Sequence, residues 1–150
     1  MDPVYATNAF YDVLVTVVDY STLPVTEAAQ RVQRSAFPNA YADHEQLARA
    51  FASGLTGYSR NALWCHLRGA TGEDRANAAA AVLARLDRDF VAIDAALRED
   101  ASVVVDARSL LPGADAEDAS RLAWAVGQWA VATAAETGVT RVATDGMAWD

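Results

Sequence analysis

Apolar residues recur at helical spacing near the start of the chain. The first apolar stripe, at i, i+3, i+4 and i+7, consists of Phe10, Val13, Leu14 and Val17. This spacing predicts a helix, and the preceding pair Asp2-Pro3 is a typical helix start because proline is tolerated in the first turn. The β-branched run VLVTVV is also compatible with a strand, but the flanking helix signals favour a helix.

Two further helices are predicted over about 25–35 and 39–55, joined at a proline corner. The apolar face of the first consists of Val25, Ala28, Ala29 and Val32. The apolar face of the second consists of Tyr41, His44, Leu47, Ala48, Phe51 and Leu55. Pro38 disfavours a helix at the residue before it and suits the first turn of a new one. Gly54 and Gly57 are typical stop signals.

The second half of the chain alternates between helical and strand patterns. Residues 73–90 are alanine-rich and carry an apolar face, which predicts a helix. A second helix is predicted to begin at Asp115 and to end at Gly138. The predicted strands are 101–107, 139–144 and 147–149, and the loose alternation over 91–97 is compatible with an edge strand. The pair Asp145-Gly146 between the last two strands is a tight-turn signal.

Together these patterns predict a mostly α fold with a small α+β part at the C-terminal end. The run RGATG at residues 68–72 contains two glycines and no apolar pattern, so we place a linker there. The predicted domains are a helical one over 1–67 and a small α+β one over 73–150, in the order helix, strand, helix, strand, strand.

Composition and charge narrow the functional classes. Of the 150 residues 53% are hydrophobic, and the formal net charge is −8 with all of the positive charge on arginine. An acidic surface repels phosphate groups, so nucleic acid is not an expected partner. No apolar run is long enough to cross a bilayer. The single cysteine, Cys65, lies in the apolar run ALWCHL and is expected to be a small buried thiol; pairing with a cysteine outside these residues is the alternative.

Two segments resemble a known family in their order and spacing. They are DPVYATNAFYDVL at residues 2–14 and LPVTEAAQRVQRSAFPNAYADHE at residues 23–45. They look like the C-terminal half of a lysozyme-like, transglycosylase-like domain from secreted cell-wall proteins of high-GC Gram-positive bacteria, and the resemblance extends to about residue 66. In that family the catalytic glutamate lies upstream, on a helix reading roughly A-L-Q-E-S. That segment is not in this chain, so the resemblance implies a fragment without the catalytic acid.

A second resemblance concerns residues 119–149, which end in GVTRVATDGMAWD. They are similar to the end of an accessory domain in the same cell-wall proteins, related to the metallopeptidase fold of D-alanyl-D-alanine carboxypeptidases. That fold binds zinc through a motif H-x-x-G-x-A-x-D and a second histidine. Asp106 lies where the aspartate is expected, but both histidines, His44 and His66, precede residue 68. We therefore expect no metal or cofactor, and we expect Asp106 to cap a turn.

No residue is predicted to be catalytic. Glycoside hydrolysis needs a carboxylic acid that holds its proton, usually beside a second carboxylate. Glu27 and Glu45 are the only glutamates in 1–67. Glu27 begins a helix, where the helix dipole favours the charged form. Glu45 follows His44 directly, and adjacent helix positions do not face each other.

The lysozyme-like resemblance implies that these helices form the far wall of a glycan cleft. The polar candidates for substrate binding on that wall are Gln30, Gln33 and Tyr41, since amide and hydroxyl groups suit sugar hydroxyls; a role in helix packing is the alternative. The functional hypothesis is a non-catalytic portion of a cell-wall-associated, peptidoglycan-related protein. The alternative is a protein-binding or self-assembling module without enzymatic activity, whose apolar surface a partner or a second copy covers.

Two expectations about location follow. The resemblance implies an extracellular or cell-envelope protein. The start MDPVYATNAFYDV has neither the basic region nor the apolar run of a secretory signal, so the chain, if complete, is expected in the cytoplasm.

Overall fold

The computed structural model describes residues 2–37, 41–67 and 75–150. Within them the chain is mostly helical and the strands form two separate two-stranded antiparallel sheets, which confirms the predicted fold class. The elements are α1 (Pro3–Leu14), α2 (Val25–Gln33), α3 (Ala42–Leu55), α4 (Arg75–Asp89), β1 (Asp94–Leu97), β2 (Val103–Asp106), α5 (Ala116–Ala132), α6 (Ala134–Thr137), β3 (Val142–Thr144) and β4 (Met147–Trp149), with short 3-10 helices at Tyr20–Thr22 and Ala107–Leu110.

The chain divides into two compact units, Met1–Arg49 and Ala50–Asp150, here called the first and the second unit. The division falls within α3, so the end of this helix and the residues that follow it belong to the second unit. The predicted linker at 68–72 and the predicted corner at Pro38 lie outside the described residues.

The first unit is built around the contact between α1 and α2. α1 begins as predicted, because Oδ1 of Asp2 accepts a hydrogen bond from the backbone N–H of Val4 at 2.9 Å. The helix ends at Leu14, so the last four residues of VLVTVV form turns and a bend. One of these turns is closed by the bond from Thr16 N–H to Val13 O at 3.0 Å. Ala28 of α2 is buried.

The core of the second unit is centred on α5. Trp124, Val126 and Val131 of this helix are buried, and the helix contacts β3, α6 and the 3-10 helix at Ala107–Leu110. α4 adds buried Val82 and Leu86 and contacts α6 and β2. The apolar face predicted for the alanine-rich segment therefore docks in the core.

The segment predicted as one helix up to Gly138 forms two helices that meet at Thr133. The Oγ1 of Thr133 donates to the carbonyl oxygen of Trp129 at 3.0 Å, a side-chain bond that competes with regular helix bonding. Its backbone has φ −99° and ψ 2°. Gly138 has φ 74° and ends α6. The predicted end of the helical segment is therefore correct, but the prediction of one continuous helix is wrong.

Both sheets are hairpins. The outermost aligned pairs are Asp94 with Asp106 and Leu97 with Val103 in the first hairpin, and Val142 with Trp149 and Thr144 with Met147 in the second. Asp145 and Gly146 have φ of 49° and 76°, the conformation of a type I′ turn. The tight turn is therefore where the sequence predicts it, whereas β3 begins three residues later than expected.

Candidate functional site

The three residues predicted to bind substrate lie near one another in the first unit. Gln30 and Gln33 are three positions apart on α2 and so share a helix face. The Tyr41 hydroxyl, just before α3, donates a hydrogen bond to Oε1 of Gln33. We call these three residues the amide–hydroxyl cluster. Gln33 is exposed, while Gln30 and Tyr41 are half-buried.

The end of α2 orients this cluster. Arg34 takes a left-handed conformation with φ 49°, which stops the helix after Gln33. The Nε2 group of Gln30 then donates to the carbonyl oxygen of Ser35 at 2.8 Å. Its Oε1 is buried without a hydrogen-bond partner in the part of the chain that the structure describes. This oxygen is shielded from solvent, so the exposed polar groups of the cluster are those of Gln33 and Tyr41.

Neither glutamate of the predicted helical domain has the surroundings of a general acid. Glu27 pairs with Arg31 at 2.6 Å, and Glu45 pairs with Arg49 at 2.8 Å. Both are i, i+4 ion pairs along one helix.

The second unit carries a broad open cleft of about 1330 Å³. Its floor is the face of α5 that carries Ala119, Ala123, Gly127 and Ala130, and its walls come from α4, from β2 and from the segment leading into β3. Small side chains on the floor keep the cleft open. Its lining is mostly apolar, with charged side chains around the rim.

A charged network joins α4, α5 and α6 beside the cleft. Asp89 accepts hydrogen bonds from Arg88 at 2.7 Å, from Arg85 at 2.8 Å and from Nε1 of Trp129 at 2.9 Å. Arg85 also pairs with Glu136. Partial burial raises the pKa of Asp89, but these donors outweigh it and lower the pKa from 3.8 to about 2. Asp89 is therefore a fixed anion and not a proton donor.

Asp106 caps a turn, as predicted. Its Oδ1 accepts from the backbone N–H of Arg108 at 3.0 Å and starts the 3-10 helix. No group of three or more histidine, cysteine, aspartate or glutamate side chains that could hold a metal ion occurs within residues 2–37, 41–67 and 75–150. Cys65 is half-buried rather than buried, and its carbonyl oxygen accepts from Nε1 of Trp149 at 2.9 Å.

Gln128 is the polar residue that sequence reasoning missed. It is only 2% exposed. Its Nε2 donates to the carbonyl oxygens of Gly54 at 2.7 Å and Ser59 at 2.9 Å, and its Oε1 accepts from the N–H groups of Ala62 at 2.7 Å and Leu63 at 3.1 Å. The signal for it is a lone amide inside the apolar run AWAVGQWAV, since buried polar groups need partners.

The amide also explains why residues 62–67 carry no regular structure. The N–H groups of Ala62 and Leu63 bond to Gln128 instead of to a helix.

No protein-family model, no curated protein and no solved structure matches the chain. Among the described residues, no helix combines the length and apolar character needed to cross a membrane.

Proposed function

We propose that this chain is the non-catalytic portion of a cell-wall-associated, lysozyme-like protein and that its first unit contacts the glycan strands of peptidoglycan. The observation that carries the proposal is the amide–hydroxyl cluster. The lysozyme-like resemblance implies that its three members face the substrate, and the Tyr41–Gln33 bond joins the end of α2 to the residue before α3.

The cluster has the donors and acceptors that sugar hydroxyls need. The Tyr41 bond uses the Oε1 atom of Gln33 and leaves its Nε2 group to donate outward. The Tyr41 hydroxyl donates to Gln33, so its oxygen is left to accept a hydrogen bond. A donor and an acceptor beside each other suit a ring that carries neighbouring hydroxyls.

The absence of catalysis is part of the proposal. Glu27 and Glu45 are held in ion pairs with arginine, which is the opposite of the apolar surroundings that keep a carboxylic acid protonated. We therefore expect glycan binding without hydrolysis.

Co-sedimentation with purified peptidoglycan sacculi tests binding. We expect saturable binding that falls about tenfold, or ~1.4 kcal/mol, in the double variant Gln33→Leu, Tyr41→Phe. Gln46→Leu is the matched control, because Gln46 is an exposed glutamine on α3 outside the cluster. A turbidity assay on the same sacculi should show no clearing. Clearing by the purified chain, or no co-sedimentation, would refute the proposal.

A second candidate, a self-assembling or protein-binding module, is favoured by the apolar surface of the first unit. Ala28 is its only buried residue within 2–37 and 41–49. Several large apolar side chains are instead mostly exposed, among them Tyr5 at 72%, Val18 at 76% and Phe37 at 75%. So much exposed apolar surface marks a site that another molecule covers.

Static light scattering over a concentration series tests this candidate. We expect the average mass to rise with concentration, and we expect Tyr5→Lys to reduce the rise. Asn8→Lys is the control, because it adds the same charge at another exposed position of α1. A constant monomer mass at the highest concentration would contradict self-assembly.

A further inference from the structure

Two strand edges without a partner strand border the cleft of the second unit. Its lining includes every residue of β2 and β3 and none of β1 or β4. Within the described residues, β2 pairs only with β1 and β3 pairs only with β4. The hairpin partners therefore lie away from the cleft, and the second edge of β2 and of β3 faces it from opposite sides.

The registers identify the backbone groups on these edges. In the first hairpin, Arg98 N–H donates to Ser102 O at 2.8 Å, and hydrogen-bonded pairs alternate along an antiparallel ladder. The pairs containing Val103 and Val105 are then the non-bonded ones. The N–H and C=O groups of these two residues point to the second edge, towards the cleft.

The second hairpin gives the matching group on the other wall. A two-residue type I′ turn makes its closing pair, Thr144 with Met147, a hydrogen-bonded one. The next pair is non-bonded, so the N–H and C=O of Ala143 point to the free edge of β3. None of the backbone bonds between described segments uses Val103, Val105 or Ala143.

The floor of the cleft admits an extended backbone. Ala123 and Ala130 rise only a methyl group above α5, whereas Gly127 lies under the Thr144 side chain of β3. An added strand would therefore lie beside β3, over the two alanines. A strand lying on this floor reaches backbone donors and acceptors on both walls. Such periodic groups recognise a main chain, whereas a small-molecule site needs a few convergent polar side chains.

Charge at the rim selects the occupant. The lining contains four carboxylates, from Asp100, Asp106, Glu136 and Asp145, and two guanidinium groups, from Arg108 and Arg141. Glu136 is paired with Arg85, Asp145 with Arg60, and Arg141 with Asp150. Asp100 and Asp106 against Arg108 then leave a small excess of negative charge, which favours a basic segment over a second copy of a chain whose net charge is −8.

We propose that this cleft binds an extended, basic polypeptide segment, which adds as a strand between β2 and β3 and joins the two hairpins into one sheet. Exposed strand edges are natural templates for such addition. The proposal concerns the second unit only and does not depend on peptidoglycan binding by the first.

Fluorescence anisotropy with labelled peptides tests it on the full chain. The probe is a peptide of about eight residues that alternates valine and lysine. We expect saturable binding with Kd below about 1 mM. A peptide that alternates valine and glutamate should bind at least about tenfold more weakly, because of the rim charge. The valine–lysine peptide with methylated backbone nitrogens should also bind at least about tenfold more weakly, because it cannot donate hydrogen bonds to a strand edge.

Variants locate the binding to the cleft. Ala123→Leu and Ala130→Leu fill the floor of the cleft. Each should weaken binding of the valine–lysine peptide at least about tenfold. Ala132→Leu is the control, because Ala132 is exposed on the same helix outside the cleft. Circular dichroism checks that each variant is folded. The comparison with the methylated peptide uses the native chain and so does not depend on the folding of a variant.

Four results would overturn the proposal. They are no binding of the valine–lysine peptide, equal binding of the methylated peptide, equal binding by the floor-filling variants, and a dimer that excludes the peptide. The second of these would mean surface charge attraction alone, and the last would make a second copy the occupant.

Discussion

A buried amide is stable only when both its nitrogen and its oxygen are hydrogen-bonded, and Gln128 meets this condition. It joins α5 to the chain on both sides of Ser59 through four bonds to backbone groups. The Gly54 carbonyl oxygen also accepts from the N–H of Gly57 at 2.9 Å. The groups of Ser59, Ala62 and Leu63 lie in a segment without regular structure, where no helix or sheet ladder satisfies them. One side chain therefore replaces a stretch of secondary structure.

Gln128→Leu tests this role. The leucine removes all four bonds. It leaves the Ser59 carbonyl group and the N–H groups of Ala62 and Leu63 without these partners, while Gly54 keeps its bond from Gly57 N–H. We expect a loss of about 3 kcal/mol in the free energy of unfolding. Urea denaturation measures it. Gln46→Leu, at an exposed position of α3, should change the same quantity by less than about 0.5 kcal/mol.

Gln128→Glu distinguishes the role of the amide nitrogen from that of the amide oxygen. The carboxylate still accepts from Ala62 and Leu63 but faces the carbonyl oxygens of Gly54 and Ser59. The folded state then favours the protonated acid, which raises the pKa of the introduced carboxyl group above that of an ordinary glutamate. The variant should therefore gain stability as the pH falls through this raised pKa, and the gain should be complete below the ordinary glutamate pKa of about 4.3. An unchanged pH profile would contradict the bonding described for Nε2.

At the scale of elements, the segment after α3 docks on α5 by close backbone approach. Gly57 has φ 81°, and a Cβ atom at this position would lie 1.9 Å from the carbonyl oxygen of Arg121. The Arg121 side chain also contacts this segment, because its Nη1 donates to the carbonyl oxygen of Thr56 at 3.1 Å. Its guanidinium also lies 5.0 Å from the centre of the Tyr58 ring. A side chain at Gly57 would separate these two elements.

Comparison of Gly57→Ala with Gly113→Ala tests the close approach. Gly113 has a similar φ of 87°, but nothing lies within 4 Å of a Cβ atom added there. Both variants incur the cost of a left-handed alanine, about 1 kcal/mol, and only Gly57→Ala adds the clash. We expect Gly57→Ala to lower the free energy of unfolding by at least about 3 kcal/mol. Equal losses would contradict the packing.

The network around Asp89 links α4, α5 and α6 and should make stability depend on acid. The pKa of Asp89 is depressed to about 2 in the folded protein. Its contribution is therefore complete above the unfolded value near 4 and is lost as the pH falls from about 4 to 2. We expect this contribution to the free energy of unfolding to be about 1–2 kcal/mol. Solvent screening reduces it, because the Asp89 side chain is still 21% exposed.

Urea unfolding at pH 5 and at pH 2.5 measures this contribution as a difference between proteins. Asp89→Asn should lose less stability between the two pH values than the native chain does. Asp87→Asn is the matched control, because Asp87 is exposed on the same helix and should behave as the native chain does. Identical pH dependence of the Asp89→Asn variant and the native chain would refute the assignment.

At the scale of the whole molecule, burial is unevenly divided. The second unit contains nearly all of the buried apolar residues, including Leu86, Trp124 and Val131, whereas the described part of the first unit contains Ala28 alone. Since burial of apolar area is the main source of stability, we expect the first unit to have little stability of its own. It is the part of the molecule that stands to gain most from a bound partner.

Hydrogen exchange measured by mass spectrometry tests this division. Amides of α5 should exchange only through global opening, while those of α1 and α2 should exchange at least about a hundredfold faster. Addition of peptidoglycan fragments should slow exchange in α2 and leave α5 unchanged, because ligand binding stabilises the unit that holds the site. Equal protection of α1 and α5 in the free protein would contradict the uneven burial.

Local chemistry allowed much of the fold to be predicted. The start of α1 at Asp2-Pro3, the end of α6 at Gly138 and the type I′ turn at Asp145-Gly146 depend on side chains that act on their own backbone. Interactions of this kind lie within a few residues and leave a signature in the sequence. The break at Thr133 was missed because a threonine inside an apolar helical pattern carries no such signature.

The sequence by itself determined the fold class, the positions of most helices and strands, and a short list of polar residues on α2 and before α3. Only the tertiary structure decided that residues 50–67 pack on α5, that Gln128 is the residue that holds them there, and that β2 and β3 face one cleft. Those features join residues up to 74 positions apart. Contacts of that range are selected by the packing of whole elements and not by the propensity of any one segment.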